Sequence, residues 1–427
     1  MKFWIIHAQE PLPRPSTERS RRLWRTNTIA EMLASRGHSV VRWRSAYSHY
    51  EKRPLVDDSV RKDFETVAYQ FLQGPAYSHN IGFPRVRHHR QIAAEFSRLA
   101  QLNSDNPDLI HVGNVPLELA ESVVRFGKER GIPVVVDIRD LWPDIYLDLI
   151  PAPLHFLRPI VRQFLHFSYR RVQYTMANAT AISGITEPFV DWGVRFSGRT
   201  RQPSDRVFHM SYPEPDSNSD EEGTQALRKQ LGLSGDEFIV CYFGSIGHQS
   251  DFNTLLEAAR LLPDDSRIRF IVCGDGPKLA SLRRDAAGVR NFILPGWVDS
   301  AAIQRLMHIA SVGLLPFKDT DNYVLNMPNK FSEYLSGGLA LACGVRGVMA
   351  NLIQTHGCGF TYRNGNAMEL AGGLQKLAAD PLHTKQLQEL SRQLFRNQFN
   401  CRVVYEELCS YLESLARSPD LGNPSPR

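Results

Sequence analysis

Short, unbroken apolar runs alternate with amphipathic helical patterns along nearly all of this 427-residue chain. The runs fall at 3–7, 39–43, 109–112, 134–138, 238–243, 269–273, 292–294, 312–316 and 339–343. Several are continuous in Val, Ile, Leu and Phe rather than alternating with polar residues, as parallel strands covered on both faces are. Helical patterns lie between them: 18–36, closed by Gly37; 253–262, closed by Pro263; and 300–310, with Asp299 or Ser300 as its cap. Strand, helix, strand repeated twice over specifies two doubly wound α/β domains. The length also exceeds what one core usually supports.

The boundary is legible. Residues 211–223 (SYPEPDSNSDEEG) are polar, acidic and rich in breakers, as linkers are. The expected division is a first domain over 1–212, a linker over 213–224, a second domain over 225–398, a helix over 399–417 and a loose tail over 418–427. The net charge of +5 is uneven: residues 1–210 hold 29 Lys/Arg against 21 Asp/Glu, and residues 211–427 hold 21 against 24. A basic first half suits an anionic partner. Nucleic acid is not expected, since no recognition helix, zinc spacing or aromatic RNA-binding motif is present.

No run of about 18 apolar residues is long enough to cross a membrane. The opening run is short and followed by His7-Ala8-Gln9-Glu10, which reads as a buried strand rather than a signal peptide. Six cysteines form no CxxC pair, and Cys241, Cys273 and Cys343 lie in apolar runs. Reduced thiols and a cytoplasmic location are expected. Between Asp148 and Glu187 no acid occurs, and Arg158, Arg162, Arg170 and Arg171 interleave with Phe156, Phe164, Phe167, Tyr169 and Tyr174. That pattern over 154–175 suits either peripheral contact with an anionic membrane or a packed helix with snorkelling arginines.

The chemistry concentrates where strands of the second half end. The run 238–243 leads into Gly244-Ser245-Ile246-Gly247, a turn that lets backbone approach a phosphate. The run 269–273 leads into Gly274-Asp275-Gly276-Pro277, and Pro295-Gly296-Trp297-Val298 follows the next. Then comes Asn326-Met327-Pro328-Asn329-Lys330-Phe331-Ser332-Glu333-Tyr334. Pro328 opens a helix, and Lys330 and Glu333 share one face. Helix amides and Lys330 attract an anion, while Glu333 can accept from sugar hydroxyls one turn deeper. The alternative is a capped surface helix with an i,i+3 ion pair. All four features lie at the carboxyl edge of one parallel sheet, where ligands of such sheets bind.

These residues resemble retaining glycosyltransferase family 4, the glycosyl transferases group 1 set. Cys273-Gly274-Asp275-Gly276-Pro277 is similar to its "GDGP" turn, and Met327 to Tyr334 to the "VPSKxxEY" form of its donor helix. Arg139-Asp140-Leu141-Trp142-Pro143 resembles the "RDLWP" of a subgroup that builds bacterial surface polysaccharides and includes N-acetylfucosamine transferases. The resemblance implies the GT-B fold, two doubly wound Rossmann-like domains facing across a cleft. It implies a nucleotide-diphosphate sugar donor, most simply a UDP-sugar, in the second domain and a polyprenyl-diphosphate-linked saccharide acceptor in the first. Peripheral attachment at the inner face of the cytoplasmic membrane is implied with it. Glu333 would hold ribose, Lys330 and the amides near Asn329 the diphosphate, the backbone of Trp297-Val298 the base, and Gly244, Ser245, Ile246 and Gly247 the phosphates, with Gly274 and Gly276 beside them. The helix over 399–417 would return to the first domain.

Three departures stand out. Leu325 occupies the place of a first glutamate eight residues before Glu333, which usually contacts the donor sugar. His248-Gln249-Ser250-Asp251-Phe252 lacks the Arg and Lys that many members carry. Gly113 stands where many have a histidine, two residues beyond His111. Lys330 is then the main cation of its domain, assisted by Arg139 of the other, and Asp140 is the best side-chain base. The alternative for Arg139-Asp140 is a structural ion pair. Asp319-Thr320-Asp321 is a lone DxD triplet, and no metal cofactor is expected. His88, His89 and His7 lack ligand partners at useful spacing and read as surface or satisfied core residues. A nucleotide-sugar epimerase and a non-catalytic nucleotide-sugar-binding protein are the rivals. A nicotinamide dehydrogenase is disfavoured because no GxGxxG follows the first strand.

Overall fold

The computed structural model describes residues 1–12, 24–55, 66–80, 82–215 and 220–418. The chain divides into two units, Met1–His209 with Val404–Arg427, and Met210–Val403.

The first unit carries seven parallel strands: β1 (Lys2–Ile6), β2 (Ser39–Ser45), β3 (Ala68–Leu72), β4 (Leu109–Gly113), β5 (Val134–Ile138), β6 (Ala181–Gly184) and β7 (Arg206–Val207). Their order is β3-β2-β1-β4-β5-β6-β7. It reverses between β1 and β4, where doubly wound sheets open a ligand crevice. The sheet is packed with large rings. Trp4 lies 4.7 Å from Trp43 and stacks on Phe126 at 5.6 Å, and Phe96 meets Trp43 edge-on at 5.1 Å. Such rings dominate core energetics. The helix Cys401–Ala416 belongs to this unit from Val404 onward. Its Tyr411 donates to the Ser204 carbonyl at 2.6 Å and packs against Phe208.

The second unit carries six parallel strands: β8 (Phe238–Phe243), β9 (Ile268–Cys273), β10 (Phe292–Gly296), β11 (Val312–Leu315), β12 (Ala340–Cys343) and β13 (Gly359–Thr361). The order β10-β9-β8-β11-β12-β13 reverses between β8 and β11. Ile239, Cys241 and Phe243 face one apolar cluster, and Val240 and Tyr242 face the other. That is why β8 has no polar alternation: helices cover both of its faces.

All nine expected runs are strands. β3, β6, β7 and β13 escaped notice because each is short or polar: AYQFL, AISG, RV and GFT. The helix expected over 18–36 is seen as Arg25–Ser35, and residues 18–23 lie outside the described residues. The stretch taken as linker is partly helical. Asp220 accepts from the Gly223 amide at 2.9 Å and caps the helix Glu221–Gln230, whose acidic first turn suits the dipole. The charge that resembled linker composition is helix-start chemistry. Residues 216–219 and the tail from 419 lie outside the described residues.

Candidate active site

In the second unit the loops after β8, β9 and β10 interlock through backbone. Gly244 N–H donates to Cys273 O at 3.0 Å, Gly274 N–H to Gly296 O at 2.7 Å, and Ile246 N–H to Asp275 O at 2.8 Å. Gly274 has φ +143°, and a Cβ there would run into the Gly244 carbonyl. Gly276 has φ +151°, and its Cβ would stand 2.5 Å from the Ile246 carbonyl. Both glycines are therefore required by the close approach of two loops. Ser245 is exposed, while Ile246 and Gly247 are buried.

The helix Asn329–Ser336 starts at the same edge. Pro328 is its N-cap, with φ −63° and extended ψ, rather than its first helical residue. As in any helix, the first amides have no intrahelical carbonyl to bond. Lys330 extends toward the β8 turn. Its Nζ lies 5.0 Å from the Tyr242 ring centre and 5.8 Å from that of Phe317, and a Cβ on Gly244 would meet it. A lysine ammonium thus sits against a glycine turn at the point where strand order reverses. Glu333 is only 3 % exposed, and every residue from Phe331 to Ser336 is buried. The surface-helix alternative fails on that burial. Trp297, 74 % exposed, follows β10, and Val298 packs against the core. Leu325 ends the short helix Asp321–Leu325. Asp319 is engaged by Arg346, whose Nε lies at 2.9 Å and whose backbone amide donates at 3.1 Å.

In the first unit, Arg139 and Asp140 do not pair with each other. Arg139 Nε donates to Asp137 at 2.8 Å and its Nη1 to Glu10. Asp137 also receives Arg25 Nε at 3.0 Å and the Ser183 hydroxyl at 2.8 Å. Glu10 accepts from the Thr26 amide at 3.0 Å. Burial opposes ionisation of both acids, but the arginines prevail and hold their carboxyls well below the usual range. The structural ion pair considered for Arg139-Asp140 is therefore real for Arg139, with Asp137 and Glu10 as its partners. Asp140 is placed differently. Asn114 Nδ2 donates to its backbone carbonyl at 2.7 Å, and its carboxyl, partly buried, is pushed up to about 6 by burial against the opposing pull of Arg139 and Arg85. A carboxyl titrating near neutrality is suited to proton transfer.

Sequence reasoning missed Glu10, Arg25, Asn114 and Asp137. An aspartate inside Val134-Val135-Val136-Asp137-Ile138 was the available signal, since a charge in a two-face-buried strand needs a partner. His88 is a satisfied core residue, bonded to Ser45 Oγ at 3.1 Å and the Pro75 carbonyl at 2.7 Å. The six cysteines are unpaired, and all but Cys401 are buried.

The basic-aromatic stretch divides in two. Tyr169, Val172 and Met176 on the helix His166–Asn178 are buried. Ahead of them, in a short 3-10 turn (Ala152–Leu157), the helix Arg158–Phe164 and the start of the next, Phe156, Ile160, Phe164 and Phe167 are between 55 % and 82 % exposed. Among the described residues no helix is long and apolar enough to cross a membrane.

Two family models match the chain: "Glycosyl transferases group 1" over residues 223–394 and "Glycosyl transferase 4-like domain" over 23–202. The chain is 32% identical over 81 residues to the 2-deoxystreptamine N-acetyl-D-glucosaminyltransferase of Niallia circulans, 18% of this chain and 21% of that one. It is 22% identical over 269 residues to the putative teichuronic acid biosynthesis glycosyltransferase TuaC of Bacillus subtilis strain 168, 63% of this chain and 61% of that one. It thus spans less than two thirds of either relative. HepE of Anabaena, solved in complex with UDP, superposes with a TM-score of 0.66 at 13% identity, covering 97% of this chain and 100% of that one. At such identity the likeness shows the fold alone.

Proposed function

This chain belongs to the group 1 glycosyltransferases, and we propose that it is a retaining enzyme moving a sugar from a UDP-sugar to a polyprenyl-diphosphate-linked saccharide in bacterial surface polysaccharide synthesis. The observation that carries the donor half is Lys330, seated against the Gly244 turn at the head of a helix whose next turn holds the buried Glu333. A diphosphate there meets an ammonium and helix amides, and the ribose hydroxyls meet a carboxylate. Trp297 and Val298 border the place for the base. The UDP complex of HepE favours uridine among the nucleotides. The kinship with TuaC favours a surface-polysaccharide role.

In the proposed reaction the bond between the anomeric carbon and the diphosphate breaks, and its electron pair leaves with the diphosphate. Lys330 stabilises that growing charge. The acceptor hydroxyl oxygen bonds the anomeric carbon, and its proton passes to a leaving-group phosphate oxygen, with Asp140 as the side-chain alternative. Arg139 enters as a positioning residue: Asp137 and Glu10 fix its guanidinium, while Asn114 ties its backbone amide to the Asp140 carbonyl. No metal is required in this scheme, and full activity in EDTA checks that. The acceptor's lipid is reached, in this reading, by laying Phe156, Ile160, Phe164 and Phe167 on an anionic bilayer among Arg158, Arg162 and Arg170.

The test is a panel of UDP-, GDP- and dTDP-sugars, scored for binding, slow hydrolysis and transfer to a polyprenyl-diphosphate saccharide. Transfer from a UDP-sugar with retention at the anomeric carbon is expected. Release of an epimerised nucleotide sugar without acceptor, or binding with no turnover of any donor, would contradict the proposal.

A further inference from the structure

His7 follows β1, and Gly113 ends β4, so the two meet where the strand order of the first sheet reverses. A Cβ on residue 113 would come within 2.7 Å of His7 Cδ2, closer than side chains tolerate, so glycine there makes room for the ring. Two backbone amides aim at the ring's other side. Gln9 N–H donates to Nδ1 at 3.3 Å and Glu10 N–H at 3.2 Å. An Nδ1 that accepts leaves the proton on Nε2. Burial, then Arg139, push the imidazole down to about 3, outweighing Glu10 and Asp137, in the same direction as the two amides donating to Nδ1. The hydrogen bonds seen to this ring among the described residues are both to Nδ1, and the ring is only partly buried. A histidine whose Nδ1 accepts from backbone, so that Nε2 carries the proton, at the switch point of a parallel sheet, is a hydrogen-bond donor aimed from the edge where ligands bind. His111, on β4, contrasts with it: the ring is fully buried and lies 3.9 Å from Asp137.

We propose that His7 is a sugar-binding residue, its Nε2–H donating to a hydroxyl oxygen of the saccharide bound at the carboxyl edge of the first sheet, and that Gly113 is its obligatory partner. This rests on the glycosyltransferase reading above. It assigns from β1 a contact that resemblance had left without a residue on β4. His7 is not the general base, because its acceptor nitrogen is occupied by backbone.

The experiment compares His7→Phe, which keeps the ring's volume without the donor, with His7→Gln, whose amide nitrogen reaches near the Nε2 position. Losing one neutral hydrogen bond predicts roughly a tenfold fall in kcat/KM for His7→Phe, with most of it restored by His7→Gln. Thermal melting of both variants separates lost binding from lost folding. Two arms locate the hydroxyl. Donor hydrolysis without acceptor falls in parallel if the contact is to the donor sugar. The acceptor KM alone rises if the contact is to the acceptor. Deoxy analogues lacking the contacted hydroxyl should penalise wild type but not His7→Phe. Unchanged transfer by a folded His7→Phe, beside an active wild type, overturns this assignment and leaves the family reading standing. A wild type inactive on every donor overturns both.

Discussion

Lys330 and Asp140 divide the proposed chemistry between them, and each can be removed with little harm to the fold. Lys330 is only partly buried, and alanine is a good helix former, so Lys330→Ala should shift stability by less than about 1 kcal/mol. A lost charge-assisted bond to the diphosphate is worth about 1.5–3 kcal/mol, so turnover should fall roughly 10- to 150-fold. Steady-state kinetics beside thermal melting checks this, and wild-type turnover removes Lys330 from the mechanism. Asp140 makes a pH prediction. Its carboxyl titrates at about 6 in the folded chain, above its ordinary value of 3.8. The folded state therefore holds the proton more tightly, and Asp140's own contribution to stability should fall as pH rises from about 4 to 6. Asp140→Asn should therefore gain stability relative to wild type across that range, read as the difference between the two pH-melting curves. If Asp140 takes the acceptor proton, the rate profile also loses a rising limb near pH 6. If a phosphate oxygen takes it, the limb is absent in wild type as well.

At the scale of elements, strands with unbroken apolar runs could be read directly, because burial on both faces leaves no other composition. Three of the four edge strands, β3, β7 and β13, could not, since little demands a hydrophobic run at a sheet's border; β10 was legible because Phe292-Ile293-Leu294 is apolar all the same. Gly274 and Gly276 stood out in the sequence as permissive turns, but the cause was hidden. They admit the carbonyls of Gly244 and Ile246, a contact between loops far apart in sequence. The network around Asp137 was equally hidden, since Arg25, Glu10 and Arg139 converge only after folding. Asp137→Ala should leave Arg25 and Arg139 without their shared carboxylate and cost about 3–5 kcal/mol, read as a lowered denaturant midpoint. A near-wild-type midpoint would show that the network is not holding the first sheet. The short helix Arg158–Phe164 makes a different prediction. Phe164→Glu with Phe167→Glu should release the chain from vesicles containing phosphatidylglycerol in flotation, without lowering the melting temperature, because both rings are exposed already. Unchanged flotation would remove this face from the membrane proposal.

On the scale of the whole molecule, the two sheets repeat one plan: the strand order turns at β1/β4 and at β8/β11, and each turn gathers unlike chemistry. The first gathers His7, Gly113 and the turn of Arg139-Asp140. The second gathers the Gly244 turn, Lys330 and the buried Glu333. The plan was legible because alternation of runs and helical patterns dictates it. The roles within each edge were only partly legible. Lys330 and Glu333 are three residues apart and read together, whereas His7 and Gly113 are neighbours only through the pairing of β1 with β4. The most direct test of the account is a calorimetric titration of a UDP-sugar into the full chain and into Lys330→Ala. Saturable binding by wild type, weakened at least tenfold in the variant, is the expected result. Equal affinity in the two, or no binding of any nucleotide sugar to wild type, would contradict it.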